Sequence, residues 1–97
     1  MAKSTDTVVA SRNGKAFAEV PLKHELTIGR RAGADLQLED PGVTRDHARI
    51  VQSESRWFLL DNRSTNGTYL NGSRVTESPL HPGDEVTVGQ SRFRFES

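Results

Sequence analysis

The dipeptide Asn-Gly occurs three times in this chain, as Asn13-Gly14, Asn66-Gly67 and Asn71-Gly72. Two of the three sit between short runs of strand-forming residues: 7–12 and 15–20 flank the first, 68–70 and 73–75 flank the last. A two-residue type I′ turn needs positive φ at both central positions, and Asn-Gly meets that need at least cost, so each pair marks a hairpin. Other turn signals keep the same rhythm. They are Ala32-Gly33-Ala34, Pro41-Gly42, Pro79, Pro82-Gly83 and Gly89-Gln90, the last with Gly first as a type II′ turn requires. Turns every ~8–12 residues, with no helical periodicity between them, imply an all-β, two-sheet β-sandwich of many short, mostly antiparallel strands.

The runs between turns support that fold. Pro21 removes a ladder donor and closes the second strand. Residues 25–28 form the next strand and deliver Gly29 and Arg30 to a loop. In 47–52, Ala48 and Ile50 point one way while His47, Arg49 and Val51 point the other. Residues 56–60 hold Trp57, Phe58, Leu59 and Leu60, apolar on both faces, which fits a well-covered strand with Trp57 as a core anchor. Residues 61–67 read as a long polar loop, and Pro79 with Pro82-Gly83 as another. Strict alternation in 85–88 and 91–95 sends Val86, Val88, Phe93 and Phe95 to the core and Arg92 and Arg94 to water. The small polar residues 1–6 are expected to be a flexible tail, and 7–97 a single domain. The runs around the Asn-Gly pairs are dissimilar, so there is no internal repeat.

Composition narrows the partners. Apolar residues make up 33% of the chain, which suits a thin sandwich with long polar loops. Thirteen basic and 13 acidic residues cancel, which argues against nucleic-acid binding through a global positive field. It leaves room for a local basic pocket, and Arg30, Arg31, Arg45, Arg49 and Arg63 cluster around the long loops. Without Cys there are no disulfides, cysteine metal sites or thiol nucleophiles. No apolar run approaches the ~20 residues of a membrane helix, and the N-terminus has no hydrophobic signal segment. The expectation is a soluble, cytoplasmic monomer without cofactor, metal, nucleic-acid or membrane partner.

Residues 29–47 hold an arginine near each end, Arg30 after one strand and Arg45 before the next, with the hydroxyl of Thr44 beside the second. Arginine grips phosphate well because its planar fork gives two parallel, charge-assisted hydrogen bonds. The same stretch resembles the signature of the forkhead-associated (FHA) domain. The resemblance rests on Gly29-Arg30, then Asp35-Leu36-x-Leu38, then Val43-Thr44-Arg45-x-His47-Ala48-x-Ile50, continued by Asp61-Asn62-x-Ser64-Thr65-Asn66-Gly67-Thr68 and Asn71-Gly72. It covers residues 25–95. What it implies is a phosphothreonine-peptide binding module in Ser/Thr kinase signalling, on a β-sandwich with its binding loops at one end.

The resemblance assigns phosphopeptide binding to Arg30, Thr44, Arg45, Thr65 and Asn66, and structural support to Gly29, His47 and Gly67. Arg30 would pair bidentately with the phosphate. Thr44 either donates its hydroxyl to phosphate or closes its turn; the family usually has Ser here, and the extra methyl of Thr narrows the pocket. Arg45 contacts phosphate or peptide backbone, or pairs with a carboxylate such as Asp46. Thr65 would reach the phosphate and the Asn66 amide the peptide backbone, unless 64–67 is only a turn. Some relatives read the third residue after the phosphothreonine with a charged side chain two positions before Thr44. Gly42 stands there, so selection for an acidic residue at that position should be weak. Ser64, Arg31 and Arg63 are expected on the solvated surface. The Thr44 departure leaves a rival, a phosphate-independent adaptor of the same fold. Scattered His and carboxylates offer no acid–base or nucleophile constellation, so no enzyme is expected. A phosphorylated Thr5 or Thr7 folding back into the pocket is a further option.

Overall fold

In the computed structural model, which describes residues 6–12 and 14–96, the chain forms eleven strands in two sheets. In order these are β1 (Thr7–Arg12), β2 (Lys15–Pro21), β3 (Glu25–Gly29), β4 (Leu36–Gln37), β5 (Ala48–Ser53), β6 (Arg56–Asp61), β7 (Thr68–Leu70), β8 (Ser73–Val75), β9 (Glu77–Leu80), β10 (Glu85–Val88) and β11 (Ser91–Glu96). One sheet runs β2-β1-β11-β10-β7-β8, the other β4-β3-β5-β6-β9. Only the β3–β4 pair is parallel among the pairings of the described residues.

Alternation explains the core. Val8, Ala10, Val86, Val88, Phe93 and Phe95 face inward from the first sheet, and Leu26, Ile28, Ile50, Trp57 and Leu59 from the second. Arg92 and Arg94 are exposed, as their register requires. Asn71 and Gly72 take φ of 50° and 89°, the type I′ pattern, and Gly89 has φ 60° at the first position of the β10–β11 turn. The hairpin centred on Asn13 falls partly outside the described residues.

Four expectations change. Pro79, expected in a loop, lies in β9. That strand is the edge of its sheet, where a missing N–H costs no ladder bond. Residues Leu36–Gln37 add a short parallel strand. His47 precedes β5 rather than starting it, and it is fully buried. Phe58 and Leu60 are only half-buried, so β6 is covered on one face and partly open on the other.

Strand registers define two ends. Gly29, Ala48, Asp61, Thr68, Val88 and Ser91 lie at one end; Thr7, Glu25, Arg56, Leu80, Glu85 and Glu96 lie at the other. The loops after β3, before β5 and between β6 and β7 therefore gather at the first end. Thr7 sits in the β1 ladder opposite Pro21 and Glu96, at the end away from those loops, so it cannot fold back without unzipping β1. Thr5 lies outside the described residues. Asp6 is anchored, its Oδ2 accepting the Trp57 indole N–H at 2.6 Å. Among the described residues no helix is long and apolar enough to cross a membrane.

Candidate functional site

Backbone contacts weld the Arg30 loop to the stretch before β5. The amides of Arg30, Arg31 and His47 donate to the carbonyls of Thr44, Arg45 and Ile28 at 3.2, 3.1 and 2.9 Å. Gly29 is the joint. A Cβ there would stand 2.0 Å from the Arg45 carbonyl oxygen, so no other residue allows so close an approach.

His47 ties this pair of loops to a third. Its Nδ1 accepts from the Thr44 amide at 3.0 Å, which places the ring proton on Nε2, and Nε2 donates to the Gly67 carbonyl at 2.9 Å. Thr44 adds a second tie, its hydroxyl oxygen accepting from the Thr65 amide at 3.0 Å. Asn66 adds a third, Nδ2 donating to the Gly42 carbonyl at 2.9 Å.

Two carboxylates lock the loops internally, and sequence reasoning missed both. Asp40 is buried and accepts from Gly42 N, Gln90 N and Ser91 Oγ at 2.8, 2.7 and 3.2 Å, pinning the Pro41–Gly42 turn to the β10–β11 turn. Burial pushes its carboxyl up, but those three hydrogen bonds and the Arg12 charge outweigh it and hold the group below the usual carboxylate range. Asp61 accepts from Ser64 N, Ser64 Oγ and Thr68 Oγ1. Again these bonds overcome burial and lower its pKa. Ser64, expected at the surface, is buried, because its Oγ also accepts from Gly67 N at 3.0 Å. The signals were present as Asp40-Pro-Gly42 and Asp61-x-x-Ser64, both patterns in which a side chain caps nearby amides.

The result is a shallow concavity of about 300 Å³ lined by Arg30, Pro41, Gly42, Val43, Thr44, Arg45, Thr65 and Asn66. All five residues assigned to peptide binding border it. Arg30 donates through Nε to the Val43 carbonyl at 2.9 Å, which aims the guanidinium while its terminal nitrogens keep their donors. Arg45 is exposed and makes no salt bridge to Asp46, although its charge acts on that carboxyl. Asp46 instead takes a two-pronged grip from Arg31, whose hydrogen bonds lower the carboxyl below its ordinary value. Arg31 is thereby engaged by a carboxylate, while Arg30 and Arg45 have no salt-bridged carboxylate among the described residues. A hollow of about 360 Å³ at the opposite end, around Asp6, Ser55, Arg56, Trp57 and His81, holds one arginine and a carboxylate where the concavity has two arginines and no carboxylate.

Residues 26–89 match the FHA domain family. The chain belongs to the FHA domain family. Among curated proteins, this FHA domain is 36% identical over 92 residues to an ABC transporter ATP-binding/permease protein of Mycobacterium tuberculosis, covering 95% of this chain and 10% of that protein. It is 34% identical to the glycogen accumulation regulator GarA of M. tuberculosis, covering 91% of this chain and 55% of GarA. The chain thus spans a tenth to about half the length of these relatives. Among solved structures it superposes with TM-score 0.84 at 30% identity on an FHA domain studied for phosphothreonine-dependent interactions, covering 94% and 96% of the two chains. It superposes with TM-score 0.82 at 31% identity on the FhaA FHA domain complexed with the intracellular domain of Rv3910, covering 95% and 100%.

Proposed function

We propose that this FHA domain binds phosphothreonine-containing segments of partner proteins in Ser/Thr kinase signalling, as an interaction module rather than an enzyme, in the cytoplasm. The observation that carries this is the state of Arg30. Its guanidinium is aimed by the Val43 carbonyl, free of any carboxylate among the described residues, and set on a concavity it shares with Thr44 and Arg45. A phosphothreonine brings nearly two negative charges and three acceptor oxygens. Arg30 supplies paired donors, and Arg45 further charge. The Thr44 oxygen is used by Thr65 N, but its proton remains to be donated. The Asn66 amide keeps one N–H and its Oδ1 for a peptide backbone.

Each charge-assisted bond is worth about 1.5–3 kcal/mol. Two or three of them, less the ordering of a flexible peptide, give about −8 kcal/mol, or micromolar affinity. Related structures support the reading. One is an FHA domain described by its phosphothreonine-dependent interactions, and another, EmbR of M. tuberculosis, is in complex with a low-affinity phosphopeptide.

The experiment is a titration of fluorescent phosphothreonine peptides, and their unphosphorylated counterparts, against the wild type and Arg30→Ala. Binding should require the phosphate and weaken by tenfold or more, about 1.5 kcal/mol, in the variant. The rival, a phosphate-independent adaptor, draws on Thr44, whose oxygen is already engaged. It predicts binding indifferent to both phosphate and Arg30.

A further inference from the structure

Gly67, which closes the site's third loop, has φ 92°, and a Cβ on it would meet the Nε of Arg74 at 2.7 Å. The Arg74 guanidinium therefore lies against the bare Cα of Gly67, one residue from Asn66. It lines no part of the concavity itself. Arg74 is exposed, and no carboxylate bonds to it among the described residues, unlike Arg31, Arg49 and Arg94. A cation with no carboxylate bonded to it keeps its charge available.

Arg74 is also not isolated. The ladder pairs it with Tyr69, Tyr69 with Thr87, and Thr87 with Arg92. These four residues form one row on the outward face of the six-stranded sheet, about 14 Å across. Arg92 is likewise exposed and unpaired with a carboxylate among the described residues. Farther from the loops, the same face carries Glu85 and Glu96, the latter bridged to Arg94 at 2.8 Å. Counting Arg94 with Glu85 and Glu96, the net charge is positive in the row beside the recognition loops and slightly negative away from them, though Glu85 lines one hollow with Arg92.

We infer that Arg74, extended by Arg92, forms a flanking subsite that reads an acidic side chain of the bound phosphopeptide, on the side of the phosphothreonine facing the β6–β7 loop. The inference rests on the phosphothreonine reading and names the partner class further: acidic segments carrying the phosphate. The Pro41–Gly42 side, whose nearest position is a glycine, supplies no charge of this kind.

The test uses phosphothreonine peptides with Glu or Ala at each flanking position, titrated against the wild type, Arg74→Met and Arg74→Lys. Met keeps an aliphatic stem over Gly67 and removes the charge; Lys keeps the charge. The wild type should favour Glu on one side of the phosphothreonine by about 2–5-fold. Arg74→Met should lose that preference while binding the Ala-flanked phosphopeptide as the wild type does, and Arg74→Lys should retain part of it. An undiminished preference in Arg74→Met, or none in the wild type, overturns the inference. A wild type that ignores the phosphate overturns the reading beneath it, and is told apart because the Ala-flanked phosphopeptide then binds no better than its unphosphorylated form.

Discussion

Replacing Gly29 by Ala should damage this domain more than any change of one methyl group at its surface. The new Cβ would stand 2.0 Å from the Arg45 carbonyl oxygen, 2.8 Å from its carbon and 3.1 Å from the His47 amide nitrogen. All three are backbone atoms, so no side chain can swing aside. Ordinary contact requires a retreat of roughly 1.5 Å. That retreat stretches the bonds from Arg31 N to Arg45 O and from His47 N to Ile28 O. Overpacking of this kind costs about 1–3 kcal/mol, and the two weakened bonds about 1 kcal/mol each. A total of about 3–5 kcal/mol is a large part of a small domain's stability. It corresponds to a fall in Tm of roughly 15–30 °C. Trp57 is the only Trp, and it is buried beside Asp6, so its fluorescence reports melting directly. The folded variant should also bind phosphopeptide more weakly, because Thr44 and Arg45 move with the displaced backbone. A Tm within a few degrees of the wild type would refute the argument, since it would mean the loops accommodate the methyl freely.

Thr44→Val keeps the branched shape but removes the O–H. It should weaken phosphopeptide binding about tenfold, while Thr44→Ser stays near wild type; wild-type affinity in the Val variant would remove Thr44 from phosphate contact. Asp40 and Asp61 have carboxyls depressed in the folded state, so the unfolded chain takes up protons first as pH falls. Their stabilisation is complete above about pH 4 and is lost as pH drops through the folded values. Urea unfolding at pH 5, 4 and 3 should show a shallower acid loss in Asp40→Asn than in the wild type, and an equally steep loss would exclude Asp40 as a source. Arg31–Asp46 is exposed and should contribute little to that profile.

The local grammar of this fold was readable from the chain. Strands β1, β7, β8 and β10 keep their expected bounds, because hairpin turns and strict alternation are written in neighbouring residues. What escaped is non-local. Leu36–Gln37 becomes a strand only because β3 lies parallel beside it, and Pro79 is tolerated only because β9 has an open edge. At the site, the motif blocks brought Arg30, Thr44, Arg45, Thr65 and Asn66 to one concavity. The framework holding them was illegible in part. Asp40 reaches Gln90 and Ser91, some fifty positions away, and no local pattern announces such a bond. Arg74 was illegible for a related reason, since its place beside the site depends on its approach to Gly67, seven residues earlier and just before the neighbouring strand.

The antiparallel pairing of β1 and β11, with Thr7 opposite Glu96, has a mechanical consequence. Tension applied between the start of β1 and the end of β11 would load the ladder from one end. Its hydrogen bonds would part in succession, like a zip, rather than shear together. The domain should therefore yield at low force when pulled through these two strands. Rupture would begin at the end remote from the recognition loops, so a bound partner would be released late in the opening, after the first rungs had gone.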